Sequence, residues 1–160
     1  MTLTQTHVMG FEAKLYRNTG TNASPTWVEI ENVRDLALAN SMTDVDVSAR
    51  DGGGFAMSDS GLQTLELTFQ MNGDFGDADL TAIQTAYLNR APLLLAVASG
   101  AIAAAGTQYV RFAGIVTGFA QAEPLDGIIQ FDVTIKVARA KAAGTLVVPT
   151  WVTLTSTTPA

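Results

Sequence analysis

The sequence predicts a mainly β domain, a β-sandwich or open barrel with one flanking α-helix. Three observations carry that reading. Leu65, Leu67, Phe69 and Met71 alternate with Glu66, Thr68 and Gln70. Ile129, Phe131, Val133, Ile135 and Val137 alternate with Gln130, Asp132, Thr134 and Lys136. A period of two marks strands with one apolar and one polar face. Helical spacing is confined to one segment, which opens at Asp77 and Asp79 and runs to Asn89.

The elements follow in order. Phe11, Ala13 and Leu15 alternate with Glu12, Lys14 and Tyr16, a half-buried strand. The cluster Asn18-Thr19-Gly20-Thr21-Asn22 is a turn, extended by Ser24-Pro25. Trp27 to Ile30 is a second strand. Glu31-Asn32 is a bulge or turn before a third, Val33 to Leu38. Val45 and Val47 alternate with Asp44, Asp46 and Ser48 in a short polar strand of their own, and Ser58-Asp59-Ser60-Gly61 is turn-like. In the helix, carboxylates in the first turn meet free N–H groups and the positive end of the dipole. Leu80, Ile83 and Tyr87 form its packing stripe, and Pro92 stops it. Leu93 to Ala98 lacks alternation and is expected to be covered on both faces. Tyr109 to Phe119 is a strand with Gly114 as a bulge or close-contact point. Glu123-Pro124-Leu125-Asp126-Gly127 is a turn. Leu146 to Leu154 is strand-like, and the Thr/Ser-rich end is expected to fray. Residues 1–9 read as an N-terminal arm, 10–140 as the β-domain and 141–160 as a C-terminal extension.

At 160 residues the chain is most simply one domain with a real core. Fifteen acidic against nine basic side chains give a net charge of −6. A surface that grips duplex DNA needs clustered Lys and Arg, so that class is disfavoured. With no cysteine, disulfides and thiolate zinc sites cannot form. The start, MTLTQTHVMG, has neither the basic end nor the apolar core of a secretory signal. The longest apolar run, APLLLAVASGAIAAAG, falls short of the ~20 residues that cross a bilayer, and no membrane partner is expected.

ARDGGGFA, from Ala49, resembles a phosphate cradle at first sight. A P-loop needs Lys-Ser/Thr after its last glycine, where Phe55-Ala56 stand instead. The dinucleotide pattern would require a third glycine at Met57. The stretch therefore reads as a connection between two strands. The single histidine, His7, lies in the polar arm and makes a poor centre for a triad. A calcium loop starting at Asp74 would need a glutamate at Thr85. Asp74, Asp77 and Asp79 are explained by a turn and a helix cap. Asp44 and Asp46 share one strand, whereas glycosidase carboxylates flank a cleft. Trp27 and Trp151 suit core or interface packing, or sugar stacking. No catalytic residue, metal or cofactor is assigned, and the chain is read as a non-enzyme.

The order of these segments carries a resemblance. GFEAKLYR, TWVEIENVRDLAL and DVDVSAR, then LELTFQMNGD, AYLNRAPLLLAV and EPLDGIIQFDVTIK, resemble the major tail (tail tube) proteins of long-tailed, siphophage-like phages and gene transfer agents. The similarity covers Gly10 to Val137; DGGGFAMSDSG fits the family's polar, glycine-containing stretch, and the tail after Gly144 is less typical. The resemblance implies a structural virion protein of tail-tube type, self-assembling as homo-hexameric rings that stack into a hollow conduit for DNA ejection. It implies assembly in the bacterial host cytoplasm, with tape measure, terminator and initiator proteins as partners and DNA only in transient passage. On that reading the polar strand faces are candidates for the lumen: Asp44 and Asp46, then Glu66, Thr68 and Gln70, then Gln130, Asp132 and Thr134. Asp51, Gly52, Gly53, Gly54, Phe55 and Met57 form the candidate inter-ring loop, which takes shape only on assembly, with Phe55 and Met57 as its apolar anchors. A secretion-system tube protein of the same fold, a monomeric carbohydrate-binding β-module and a small hydrolase are the competing classes.

Overall fold

The computed structural model describes residues 7–155, so the first part of the N-terminal arm and the end of the C-terminal extension lie outside the described residues. The strands are β1 (Lys14–Asn18), β2 (Trp27–Glu29), β3 (Val33–Asp46), β4 (Ser58–Asn72), β5 (Leu93–Ala98), β6 (Gln108–Ala122) and β7 (Gln130–Val137). A small hairpin, β8 (Lys141–Ala142) with β9 (Thr145–Leu146), and a last strand, β10 (Thr150–Thr153), follow. One helix, α1 (Ala78–Asn89), joins β4 to β5. The main sheet is antiparallel in the order β2-β1-β5-β6-β7-β4-β3, and β10 pairs with β6 beyond the end of β7.

The sheet folds over a single main core, giving the β-sandwich with a flanking helix. Leu67, Phe69 and Met71 of β4 meet Phe131, Val133 and Ile135 of β7, Phe112 of β6, Leu15 of β1, and Leu80 and Ile83 of α1. Each such side chain contributes roughly 1.5–3 kcal/mol by leaving water. A second, smaller cluster on the other side of β5 holds Tyr16, Ala96, Ala98, Ile102 and Tyr109. Leu95 and Ala96 thus face different clusters, which is why Leu93 to Ala98 shows no alternation.

Asp77 caps α1, accepting from the Asp79 N–H at 2.8 Å. The helix ends at Asn89, where Arg90 turns left-handed ahead of Pro92. Its buried stripe is Leu80, Ile83 and Ala86. Tyr87 stays partly exposed and stacks on Phe119.

Four local expectations need correcting, and a fifth, at Gly114, is decided between its two alternatives. Residues Gly10–Glu12 form a 3-10 turn and Phe11 is exposed, because pairing with β5 starts only at Lys14 opposite Ala98. Val33 to Leu38 and the Val45 segment are one continuous strand, and Ser58 to Gly61 is strand rather than turn. Each lends the other its backbone partners, as in Asp44 opposite Ser60 and Asp46 opposite Ser58. Gly114 is the close-contact point, since a Cβ there would overlap Ile135 Cγ2; the register shift in β6 falls later, between Val116 and Gly118. The segment Leu146 to Leu154 breaks at Val147–Pro149 before β10, and Leu154 is buried with its N–H on the Thr107 carbonyl.

Candidate assembly surfaces

Two strands, β4 and β7, put six of the predicted polar residues on one face. Register pairs Glu66 with Lys136, Thr68 with Thr134, Gln70 with Asp132 and Asn72 with Gln130. Paired residues in an antiparallel ladder point to the same side. The face therefore gathers Glu66, Thr68, Gln70, Gln130, Asp132 and Thr134. Glu66 also accepts an ion pair from Lys136 Nζ at 3.1 Å. On β6 the same face carries Ile115, Gly118, Ala120 and Ala122, opposite Lys136, Thr134, Asp132 and Gln130.

β3 completes the face with residues that periodicity alone did not mark. Arg34 lies opposite Gln70, Ala37 opposite Thr68, Ala39 opposite Glu66 and Ser41 opposite Thr64. The last two hydroxyls are 2.6 Å apart. A bulge between Arg34 and Ala37, with Asp35 at φ 49°, shifts the alternation of β3 by one residue. That shift is invisible in the sequence, where Asp35 looks like any polar position of a strand. The result is a four-stranded surface of polar and small side chains, with Ile115 as its one large aliphatic residue among those paired and no aromatic ring.

Asp44 and Asp46 are not part of this surface. Counting along β3 from Ser41, they fall on the opposite side, in line with Leu38, Asn40 and Met42. Asp44 accepts from the Ser58 hydroxyl at 3.2 Å, and Asp46 from the Ser48 N–H at 2.9 Å. The Ser48 hydroxyl and N–H together hold the Asp46 carboxyl below the usual aspartate range.

Beyond Asn40 and Thr64 the β3–β4 hairpin leaves the core, and nearly every residue on both strands is exposed. Its tip is the glycine stretch. Arg50–Gly52 make one 3-10 turn, capped by Gly53 at φ 64° and followed by Gly54 at φ 86°. Those angles suit glycine and strain other residues. Val47 N–H reaches the Met57 carbonyl at 3.0 Å, and Met57 N–H reaches the Ser48 hydroxyl at 2.9 Å, which closes the tip. The Met57 side chain lies over Gly52, where a Cβ would meet Cε at 3.0 Å. Phe55 stands free at 76% exposure.

The four-stranded surface ends in two unpaired edges. β3 has β4 on one side and no strand on the other among the described residues. β6 pairs with β5 only as far as Gly114, so Ile115 to Ala122 have no strand on that side among the described residues. Such edges invite strand pairing.

The other candidates disperse. Asp74 accepts from Gly76 N–H, Asp77 caps the helix and Asp79 binds Arg17, so these carboxylates do not converge. Trp27 packs edge-on to Tyr109 with Arg111 6.0 Å from its ring, while Trp151 is exposed on β10.

A curled antiparallel sheet, one flanking helix and a long projecting hairpin make up a fold that this chain shares with solved tail and tube proteins. The chain superimposes on the tail of an empty gene transfer agent particle, refined with C6 symmetry, with a TM-score of 0.66 at 16% identity over 82% of this chain and 95% of that one. It matches the SPP1 tail tube with a TM-score of 0.71 at 10% identity, covering 94% and 82%. The sheath/tube terminator of an extracellular contractile injection system, PVC, aligns with a TM-score of 0.56 at 11% identity, covering 92% and 99%. No protein-family model and no curated protein sequence matches the chain.

Proposed function

We propose that this chain is the structural subunit of a phage-like tail tube, six copies closing a ring and rings stacking into a hollow conduit for genomic DNA. One observation carries the reading: a polar, ring-free surface is bounded on both sides by bare strand edges. Pairing the β3 edge of one copy with the β6 edge of the next continues the sheet around a closed circle. A head-to-tail contact of this kind makes a ring when its rotation closes, and closure removes the edges that make an isolated sheet prone to aggregate. The core and α1 lie on the other side of the sheet, which turns the polar surface inward.

The inward face suits a conduit. Its charges are Glu66, Lys136, Asp132 and Arg34, and the first two are paired. A basic lining would hold DNA by counterion release, and aromatics would stack on single-stranded bases. This surface does neither, so DNA slides. The chain acts without chemistry of its own, in a virion tail assembled in the host cytoplasm. Tape measure, terminator and initiator proteins set its length and ends. Higher TM-scores to the gene transfer agent and SPP1 tubes than to the injection-system protein favour the phage-like form over a secretion tube.

Electron microscopy of the purified chain tests this. Rings and tubes about as wide as a duplex at the bore are expected. Monomers alone, by microscopy and by light scattering at high concentration and after adding tail initiators, would overturn it.

A further inference from the structure

The β3–β4 ladder is broken twice. Between the pairs Arg34–Gln70 and Ala37–Thr68, β3 advances one residue more than β4; between Met42–Gln63 and Asp44–Ser60, β4 advances one more than β3. The second bulge cancels the first. The two differ in support. Gln70 and Thr68 also pair with Asp132 and Thr134, so β7 braces the first bulge. Pairing of β4 with β7 stops at Glu66, so among the described residues the second bulge has no third strand beside it. Thr43, Gly61 and Leu62 have no register partner there. Gly61 lets the two strands close at this point, since a Cβ would overlap Thr43 Oγ1.

Beyond the second bulge the hairpin is tied within itself. Asp44, Val45 and Asp46 pair with Ser60, Asp59 and Ser58. The Ser58 hydroxyl donates to Asp44 at 3.2 Å, and Val47 N–H to the Met57 carbonyl at 3.0 Å. Gly52 N–H and Phe55 N–H close the turn on the Ala49 and Gly52 carbonyls. No residue from Asp44 to Ser60 is buried.

We propose that the second bulge is a hinge on which the hairpin, its tip already closed, swings as one rigid arm, and that assembly selects one arm angle. The inference rests on the tube reading only for that last step. A bulge disrupts the ladder locally and bends the strand that carries it. Motion therefore concentrates at Thr43, Gly61 and Leu62, where neither the core nor a third strand opposes it. The arm keeps its bonds at every angle, because none of them crosses the bulge. A strand rises ~3.3 Å per residue, so the arm from Asp44 to Ala49 is ~17 Å long and a small rotation at its base carries Phe55 several Å. The first bulge, held by β7, keeps the polar face still while the arm moves. Neighbouring copies then favour one angle among those the free chain already visits.

The chain has no cysteine, so spin labels can be placed at chosen sites. Phe55→Cys with Gln84→Cys spans the hinge, and Gln63→Cys with Gln84→Cys stops short of it; all three positions are exposed. Electron–electron double resonance of the free chain should give the first pair a distance distribution about twice as wide as the second. Deleting Leu62 removes the extra residue of β4 and lets Thr43 face Gly61, so the first distribution should narrow to the width of the second. Leu62→Ala keeps the bulge and should change nothing. Hydrogen exchange at Val47 should stay slow throughout, and circular dichroism checks that each variant is folded. In tubes diluted with unlabelled chain, the first distribution should narrow without the deletion. A narrow distribution in the free chain, a deletion without effect, or fast exchange at Val47 would overturn the hinge and leave the tube reading standing. A distribution as wide in tubes as in the free chain would overturn the selected angle. A hinge found in a chain that makes no tubes supports the arm and removes the tube reading.

Discussion

Arg17 donates to one carboxylate oxygen of Asp79 twice, from Nε at 2.9 Å and from Nη2 at 2.6 Å. The pair ties β1 to the first turn of α1 and is largely shielded, at 16% and 10% side-chain exposure. Removing one partner of a shielded pair leaves a charge without compensation. Asp79→Ala should therefore cost about 3–5 kcal/mol in urea unfolding. The double variant Arg17→Met with Asp79→Leu should recover most of the loss, because no buried charge remains. Equal losses in the single and double variants would show that the pair matters through packing rather than charge.

Gly114 is predicted to resist substitution. An alanine Cβ there would overlap Ile135 Cγ2 in the main core, so Gly114→Ala should cost about 1–3 kcal/mol. Gly10 has no neighbour within 4 Å of such a Cβ, and Gly10→Ala should change stability by less than about 0.5 kcal/mol. Thermal unfolding of the two variants side by side checks the difference.

Acid should loosen the hairpin tip before the core. The Asp46 carboxyl is held below its ordinary value by the Ser48 hydroxyl and N–H. A lowered pKa means the contribution is complete above the ordinary aspartate value and is lost as pH falls through the lowered one. Hydrogen exchange at Ser48 should therefore rise, beyond the intrinsic pH effect, as pH is taken below the normal aspartate range. Asp46→Asn should abolish that extra rise.

The tip should be dispensable for folding and needed for stacking. None of residues 47–57 is buried in the subunit. Deleting Gly52 to Met57 should leave the circular dichroism and melting of the subunit nearly unchanged and stop tube growth in the microscope. Normal tubes from this deletion would remove the tip from assembly.

The bore should respond to charge. Glu66→Lys with Asp132→Lys converts a near-neutral polar face into a basic one, with Lys136 and Arg34 already on it. Tubes of this variant should assemble but release DNA more slowly, and most slowly at low salt, where screening is weakest. Unchanged release at low salt would show that Glu66 and Asp132 face away from the DNA.

What the sequence determined by itself was local. The alternation from Leu65 to Met71 and from Ile129 to Val137 reports two core strands, because one buried face imposes a period of two on the residues that build it. The Asp77 cap, the apolar turns at Leu80 and Ile83, and Pro92 likewise place the helix from neighbouring residues alone. Tertiary structure decided what depends on partners. Alternation marks Asp44 to Ser48 as a short strand but does not reveal that it continues Val33 to Leu38, and Ser58 to Gly61 reads as a turn; Val33 to Asp46 and Ser58 to Gly61 are strand because the two long segments pair with each other. Phe11 alternates correctly yet finds no strand opposite it. The bulge at Asp35 puts Ala37, Ala39 and Ser41 beside Thr68, Glu66 and Thr64, and leaves Asp44 and Asp46 on the reverse side. Alternation fixes a face only within one unbroken strand. Register, bulges and the free edges of β3 and β6 arise from pairing between distant segments, and these set which polar residues form one surface.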